Sequence, residues 1–130
     1  MSKYDVNKFK QVTVALNTPF QPDGSVDLKA VRAVVNYFYN KGIRQMYVCG
    51  STGEGFLLDT QERMAVTETV VEEAAGRMNI IVHVGCPDTR HSEELARHAE
   101  KAGADATSAV PCVYYRMGEE SVFQHWTKIT

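Results

Sequence analysis

No run of apolar residues in this chain approaches the ~20 that a bilayer-spanning helix needs. An excess of positive charge is missing too. Lys plus Arg is 14 and Asp plus Glu is 16, a net charge of −2 at pH 7. That balance leaves no basic stripe for a phosphate backbone, so neither nucleic acid nor a membrane is the expected partner. Met1 to Lys10 is polar and mixed in charge, without the apolar core of a secretory leader, and the expected compartment is the cytoplasm. Cysteine is scarce: Cys49, Cys86 and Cys112, with no C-x-x-C pair. An odd count at this spacing argues against a disulfide framework or a zinc knuckle and fits free thiols in a reducing compartment. All three fall at the ends of predicted strands, which leaves a three-thiolate site as the alternative to the expected absence of metal. H-E-x-x-H is absent, and spacing alone assembles no Ser-His-Asp triad. The pairs Glu72-Glu73, Glu93-Glu94 and Glu119-Glu120 read as helix charges rather than a glycosidase carboxylate pair.

What is present is an alternation. The 130 residues, of which 44% are hydrophobic, suffice for one domain spanning residues 1–130. Gln11 to Leu16 is rich in β-branched residues, and Thr18-Pro19 ends it. Ser25 and Asp27 then offer helix-start chemistry, Val31, Val34, Val35 and Phe38 repeat on one helical face, and Gly42 closes the helix. The pattern recurs three times. Gln45 to Cys49 is a predicted strand. Asp59 and Glu62 make a box-like start to a helix with Met64, Thr67, Val70, Val71 and Ala74 inward and Gly76 as its stop. Asn79 to Val84 is the third strand, followed by a helix with Leu95, Ala99 and Ala102 inward and Gly103 at its end. Ala106 to Val110 is the fourth strand, closed by Pro111. A last helix opens near Gly118 and carries Val122, Phe123, Trp126 and Ile129.

Near-continuous apolar strands point to burial on both faces and so to a parallel sheet in an α/β fold. Two architectures fit: an open doubly wound sheet, or part of a barrel. A full (βα)₈ barrel takes ~250 residues, so four βα units amount to about half of one. A Gly-rich dinucleotide fingerprint after the first strand is missing, which weakens the open-sheet reading.

Gly50-Ser51-Thr52-Gly53-Glu54-Gly55 follows the second strand directly, on the face where both parallel architectures bind ligands. Gly50 and Gly55 have the spacing of a phosphate-binding loop, but Phe56-Leu57 stand where Lys and Ser/Thr are required, so that loop is rejected. The three glycines are expected to permit backbone conformations that other residues resist, with N–H groups converging on an anion. Ser51 and Thr52 add two hydroxyls, and the combination suits a small carboxylate; a plain tight turn is the alternative. Tyr114 and Tyr115 follow the fourth strand on the same face. A tyrosine there can relay a proton or merely pack at the rim. Arg116 can bind an anion or be solvated, and Tyr47 reads as core or interface. Among the histidines, His91 and His98 read as a solvated helix face beside Glu94, and His83 as a satisfied core histidine.

Y-V-C-G-S-T-G-E-G (Tyr47 to Gly55), T-P-F (Thr18 to Phe20), and P-C-V-Y-Y-R followed by Q-H-W (Pro111 to Trp126) resemble, in order along the chain, the dihydrodipicolinate synthase/N-acetylneuraminate lyase family. The resemblance implies a (βα)₈ barrel of which this chain covers about the first four units. It implies a class I aldolase without cofactor: a lysine forms a Schiff base with a 2-oxo acid, generally pyruvate, and a carbon–carbon bond is made or broken. Ser51 at the first hydroxyl position leans toward the lyase branch, which cleaves N-acetylneuraminate to pyruvate and the sugar aldehyde N-acetylmannosamine. The synthase branch usually has Thr-Thr and condenses an aspartate semialdehyde. Carried over, Ser51 and Thr52 hold the pyruvate carboxylate, Ser51 also passes protons, and Tyr114 completes that relay from a neighbouring subunit. Tyr47 lies near the site or the subunit contact. A homo-oligomer is expected, a tetramer for full-length members.

The family's Schiff-base lysine lies on strand six and its main catalytic tyrosine on strand five, whereas this sequence stops in its fourth predicted helix while the apolar face is still running. Its seven lysines are Lys3, Lys8, Lys10, Lys29, Lys41, Lys101 and Lys128, none on a predicted strand. Val113, beside Cys112, replaces an aromatic common in the family. The expectation is a truncated chain that does not catalyse the aldol step alone, a half-barrel that acts as a binding or association module, with open strand edges that promote pairing.

Overall fold

A computed structural model describes residues 5–111 and 114–130. A short 3₁₀ turn (Val6–Phe9) precedes β1 (Val14–Ala15), α1 (Leu28–Asn40), β2 (Gln45–Val48), α2 (Thr60–Ala74), β3 (Asn79–His83), α3 (Thr89–Ala102), β4 (Ala106–Ser108) and α4 (Glu119–Ile129). The helix starts are set by aspartates. Asp27 accepts from Ala30 N, Asp88 from His91 N, and Asp59 and Glu62 close a reciprocal capping box. Gly103 ends α3 in the left-handed conformation, φ 95°, which costs a glycine little.

All strands are parallel, in the order β1-β2-β3-β4. Neighbouring helices pack in the same order, α1 on α2, α2 on α3, α3 on α4. An open doubly wound sheet reverses its strand order and carries helices on both faces. An in-order parallel sheet with consecutive helices side by side is the arc of a (βα)₈ barrel, here four units of it. Met46, Val48, Ile80 and Val82 lie in register and join Val31, Val35, Val66 and Val70 in one core. On the alternate register Tyr47 and Ile81 are half-buried. Below them Gln45 donates to Thr13 Oγ1 and Phe9 O, and Asn79 donates to Lys8 O, so the N-terminal turn closes the amino end of the sheet. Lys8 pairs with Asp105 at 2.8 Å, and Asp105 also accepts from Ile80 N.

Several expectations need correction. The first strand is two residues rather than six, because Gln11 N turns back to Phe9 O and only Val14 and Ala15 reach register with β2. The inner face of α2 includes Arg63 and Val66, which a binary pattern does not select, while Met64 and Val71 are only partly buried. On α4, Phe123 is 66% exposed and Trp126 half-exposed, and His125 and Ile129 turn inward. No described element covers the Phe123 side. β1 and β4 are the outer strands of the described sheet. His91 and His98 do share α3 with Glu94, but His98, read as solvated, is largely covered and pairs with Glu68 of α2 at 2.8 Å, while His91 pairs with Asp88.

Candidate active site

The loop from Cys49 to Leu58 joins β2 to α2 at the carboxyl end of the sheet. It is held from both sides. Thr18, buried, donates from its hydroxyl to Gly53 O at 2.7 Å. Within the loop, Glu54 N donates to Ser51 O and Gly55 N to Gly50 O, each at 3.1 Å. The expected role of the glycines is corrected here. None of Gly50, Gly53 and Gly55 has positive φ; the left-handed residues are Cys49 (φ 58°) and Glu54 (φ 54°). The glycines are required by crowding. A Cβ on Gly53 would stand 2.8 Å from Leu16 O, and one on Gly50 would stand 2.5 Å from the Tyr47 ring. The backbone therefore folds tightly onto β1 and β2, and that packing carries Ser51 and Thr52 outward, both exposed.

Tyr47, half-buried on β2, lies against Gly50, and its hydroxyl shares a 2.9 Å hydrogen bond with Ser108 Oγ at the end of β4. Structure thus joins Tyr47 to the Ser51–Thr52 turn and to β4. Tyr114 is not brought in: it is 80% exposed and stacks edge-on with Tyr115, ring centroids 4.9 Å apart. Among the described residues no hydrogen bond links Tyr114 to Ser51 or Thr52. Arg116 is exposed.

The loop rests on two residues that the sequence did not mark as part of the site: His83, read there as a satisfied core histidine, and Arg63, not singled out at all. His83, 2% exposed at the end of β3, meets the Phe56 ring edge-on at 5.5 Å and accepts at Nε2 from Val110 N, 3.2 Å away. A backbone N–H can only donate, so Nε2 is unprotonated and the ring neutral. Burial first, then the Arg63 charge, lowers the His83 pKa to about 4; the Cys49 carbonyl, accepting from the ring, opposes them. Arg63, 3% exposed in the first turn of α2, donates to His83 O at 2.6 Å and Gly85 O at 3.1 Å, and its Nη1 lies 3.2 Å from Cys86 Sγ. Among the described residues its Nε has no partner. Cys49 is a buried free thiol whose pKa burial pushes up to about 11, and Cys86 is a half-buried free thiol. Cys112 and Val113 lie outside the described residues, so a three-thiolate arrangement has no described geometry. Among the described residues, no group of three or more His, Cys, Asp or Glu side chains could hold a metal, and no helix is long and apolar enough to cross a membrane. Buried Arg63 was hidden because a charged residue reads as surface; the signal that could have found it is its place on the same helical face as Val66, Thr67 and Val70.

Comparison with known proteins places this geometry. The model of the dihydrodipicolinate synthetase family matches residues 8–130. The N-acetylneuraminate lyase of Mediterraneibacter gnavus is 36% identical over 126 residues, covering 97% of this chain and 40% of the relative. The 4-hydroxy-tetrahydrodipicolinate synthase of Chlorobaculum parvum is 41% identical over 117 residues, covering 90% of this chain and 40% of the relative. A catalytic-lysine mutant of the Ruminococcus gnavus sialic acid aldolase superposes with a TM-score of 0.93 at 36% identity, over 96% of this chain and 41% of that one. The chain therefore spans about 40% of the length of the curated relatives it matches.

Proposed function

The chain belongs to the dihydrodipicolinate synthetase family, and from that premise we propose that it forms the carboxylate-binding half of a pyruvate-dependent Schiff-base lyase acting on N-acetylneuraminate. The observation that carries this reading is the pair of exposed hydroxyls, Ser51 and Thr52, on a turn clamped by Thr18 at the carboxyl end of β2. There they hold the pyruvate carboxylate, and Ser51 passes protons to the Tyr114 hydroxyl of a second subunit. The exposure of Tyr114 suits a residue that reaches a neighbouring copy rather than its own site. Tyr47, fixed by Ser108, forms the wall beside the turn. The homo-oligomer follows from that shared site, and a reducing compartment such as the cytoplasm suits the free thiols Cys49 and Cys86.

The imine-forming lysine is placed outside these 130 residues. Lys8, Lys10, Lys29, Lys41, Lys101 and Lys128 all lie off the strands, and Lys3 is outside the described residues. The condensing reading, with an aspartate semialdehyde as partner, is favoured by one observation, the 41% identity to a synthase; Ser51 favours the lyase. Alone, the chain binds without chemistry.

Intact mass after incubation with pyruvate and borohydride tests this, since borohydride fixes a lysine imine. The chain is expected to keep its mass. A stoichiometric adduct would mean that one of its seven lysines has been recruited. Mixed with the complementary portion of a lyase relative, it is expected to support an adduct on that portion and release of pyruvate from N-acetylneuraminate. Condensation with aspartate semialdehyde instead would favour the synthase reading.

A further inference from the structure

Arg63 is a buried cation without an acid. Its guanidinium cannot shed its proton at accessible pH, and burying such a charge is costly unless something compensates it. Among the described residues no carboxylate lies within ion-pair distance of it. The acids nearest in sequence, Asp59 and Glu62, are engaged in capping each other's backbone at the start of α2. The side chains that do face it bring no negative charge: His83 is neutral with its pKa near 4, and the Cys49 thiol, held at about 11, stays protonated. The Cys86 sulfur takes one N–H at 3.2 Å, the His83 and Gly85 carbonyls take others, and among the described residues nothing accepts from the buried Nε.

Position gives this charge a use. Arg63 stands in the first turn of α2, where the helix N-terminus adds partial positive charge of its own. It ties that turn to the end of β3, and the Ser51–Thr52 turn enters the same helix a few residues earlier. Cys49 Sγ, at the root of the loop, lies 4.0 Å from Arg63 O, and Phe56 rests on His83. The positive potential thus sits at the root of the loop that carries the proposed carboxylate site, on a guanidinium that is itself closed to water, where screening is weak.

We infer that Arg63 is the specificity-determining charge of the site: its guanidinium, unpaired with any carboxylate among the described residues and set at the root of the loop that carries Ser51 and Thr52, selects an anionic 2-oxo acid over a neutral carbonyl compound of the same shape. It acts through the field and through the carbonyls it orders, without touching the ligand. The inference rests on the reading of the turn as a carboxylate site.

The test follows the backbone amide signals of Ser51 and Thr52 in the ¹⁵N-labelled chain, titrated in parallel with pyruvate and its neutral methyl ester. Wild-type protein is expected to prefer pyruvate. Arg63→Gln keeps hydrogen-bond donors but no charge, and its preference is expected to fall about tenfold, roughly the scale of one partly screened charge. Arg63→Lys keeps the charge without the fork and is expected to retain the preference. Cys86→Asp leaves Arg63 in place but sets a carboxylate against it, and is expected to lose the preference as Arg63→Gln does. This variant also decides the matter should Arg63→Gln fail to fold. A preference unchanged in Cys86→Asp or in folded Arg63→Gln would overturn the inference while leaving the carboxylate site standing. Wild-type amides that ignore pyruvate would overturn both.

Discussion

Gly55 and Cys49 approach so closely that a Cβ on Gly55 would lie 1.8 Å from the Cys49 carbonyl oxygen. That oxygen belongs to a residue already at φ 58°, so neither backbone segment has an easy route of retreat. Gly55→Ala is expected to lower stability by about 1–3 kcal/mol or to displace the turn. Gly118→Ala serves as control, because nothing lies within 4 Å of a Cβ there; it is expected to cost only the weaker N-cap preference of Ala, under about 1 kcal/mol. Urea denaturation of the two variants decides it; equal midpoints would show that the turn is looser than its packing implies.

Thr18 makes a sharper test of how the turn is held. Its buried hydroxyl donates to Gly53 O. Thr18→Val keeps the shape and leaves that carbonyl without its donor, which is expected to cost about 1–3 kcal/mol. Because the bond ties the segment after β1 to the turn, faster amide exchange is expected to concentrate at residues 51–55. A uniform change along the chain would mean that Thr18 contributes only to general stability.

The parts legible in the sequence were those written in local chemistry. Asp27, Asp59 and Asp88 mark helix starts by their own hydrogen bonds, and Gly103 marks an end by its backbone. The G-S-T-G-E-G motif marked a tight loop directly after the second strand, and the structure has that loop there, at the carboxyl end of the sheet. Periodicity alone left barrel arc and open sheet both standing, because strand order depends on contacts between residues more than 30 apart, such as Gln45 with Asn79; the resemblance carried by the Tyr47–Gly55 motif is what pointed to the barrel. The support at the root of the loop was not legible. Arg63 and His83 look like surface or ordinary core residues until α2 is laid across the end of β3. The reach of Tyr47 to Ser108 spans 61 residues and leaves no local trace. The apolar stripe on α4 misled, since Phe123 needs a neighbour that the described elements do not supply.

His83 makes stability depend on pH in a defined window. Its folded pKa, about 4, lies below the ordinary 6.5, so the unfolded chain binds this proton more readily than the native one. The stabilisation is therefore full above pH 6.5 and declines as pH falls toward 4, by about 3 kcal/mol in all. Protonation removes the acceptor for Val110 N and sets a second positive charge beside Arg63. The lowered carboxyls of Asp88 and Glu93 act in the same direction but at lower pH, below their ordinary values of 3.8 and 4.5. Denaturation midpoints measured from pH 7 to 4.5 are expected to fall in wild type and to flatten in His83→Gln. A slope that survives the substitution would place the titration elsewhere.

Tyr47 and Ser108 offer a way to separate wall from site. Their shared hydrogen bond joins the second strand to the fourth across β3, which lies between them in the sheet. Removing either hydroxyl, by Tyr47→Phe or Ser108→Ala, is expected to cost about 1 kcal/mol, and the double variant little more than either single one, because the same bond is lost each time. A coupling near zero would show the bond to be idle. The binding consequence differs between the partners. Ser108→Ala leaves the Tyr47 ring pressed against Gly50 and frees only its hydroxyl, so pyruvate-dependent shifts at Ser51 are expected to persist with reduced amplitude. Tyr47→Ala removes the ring that crowds Gly50, releases the root of the turn, and is expected to abolish those shifts. Equal responses in the two variants would mean that the hydroxyl, rather than the ring, positions the turn.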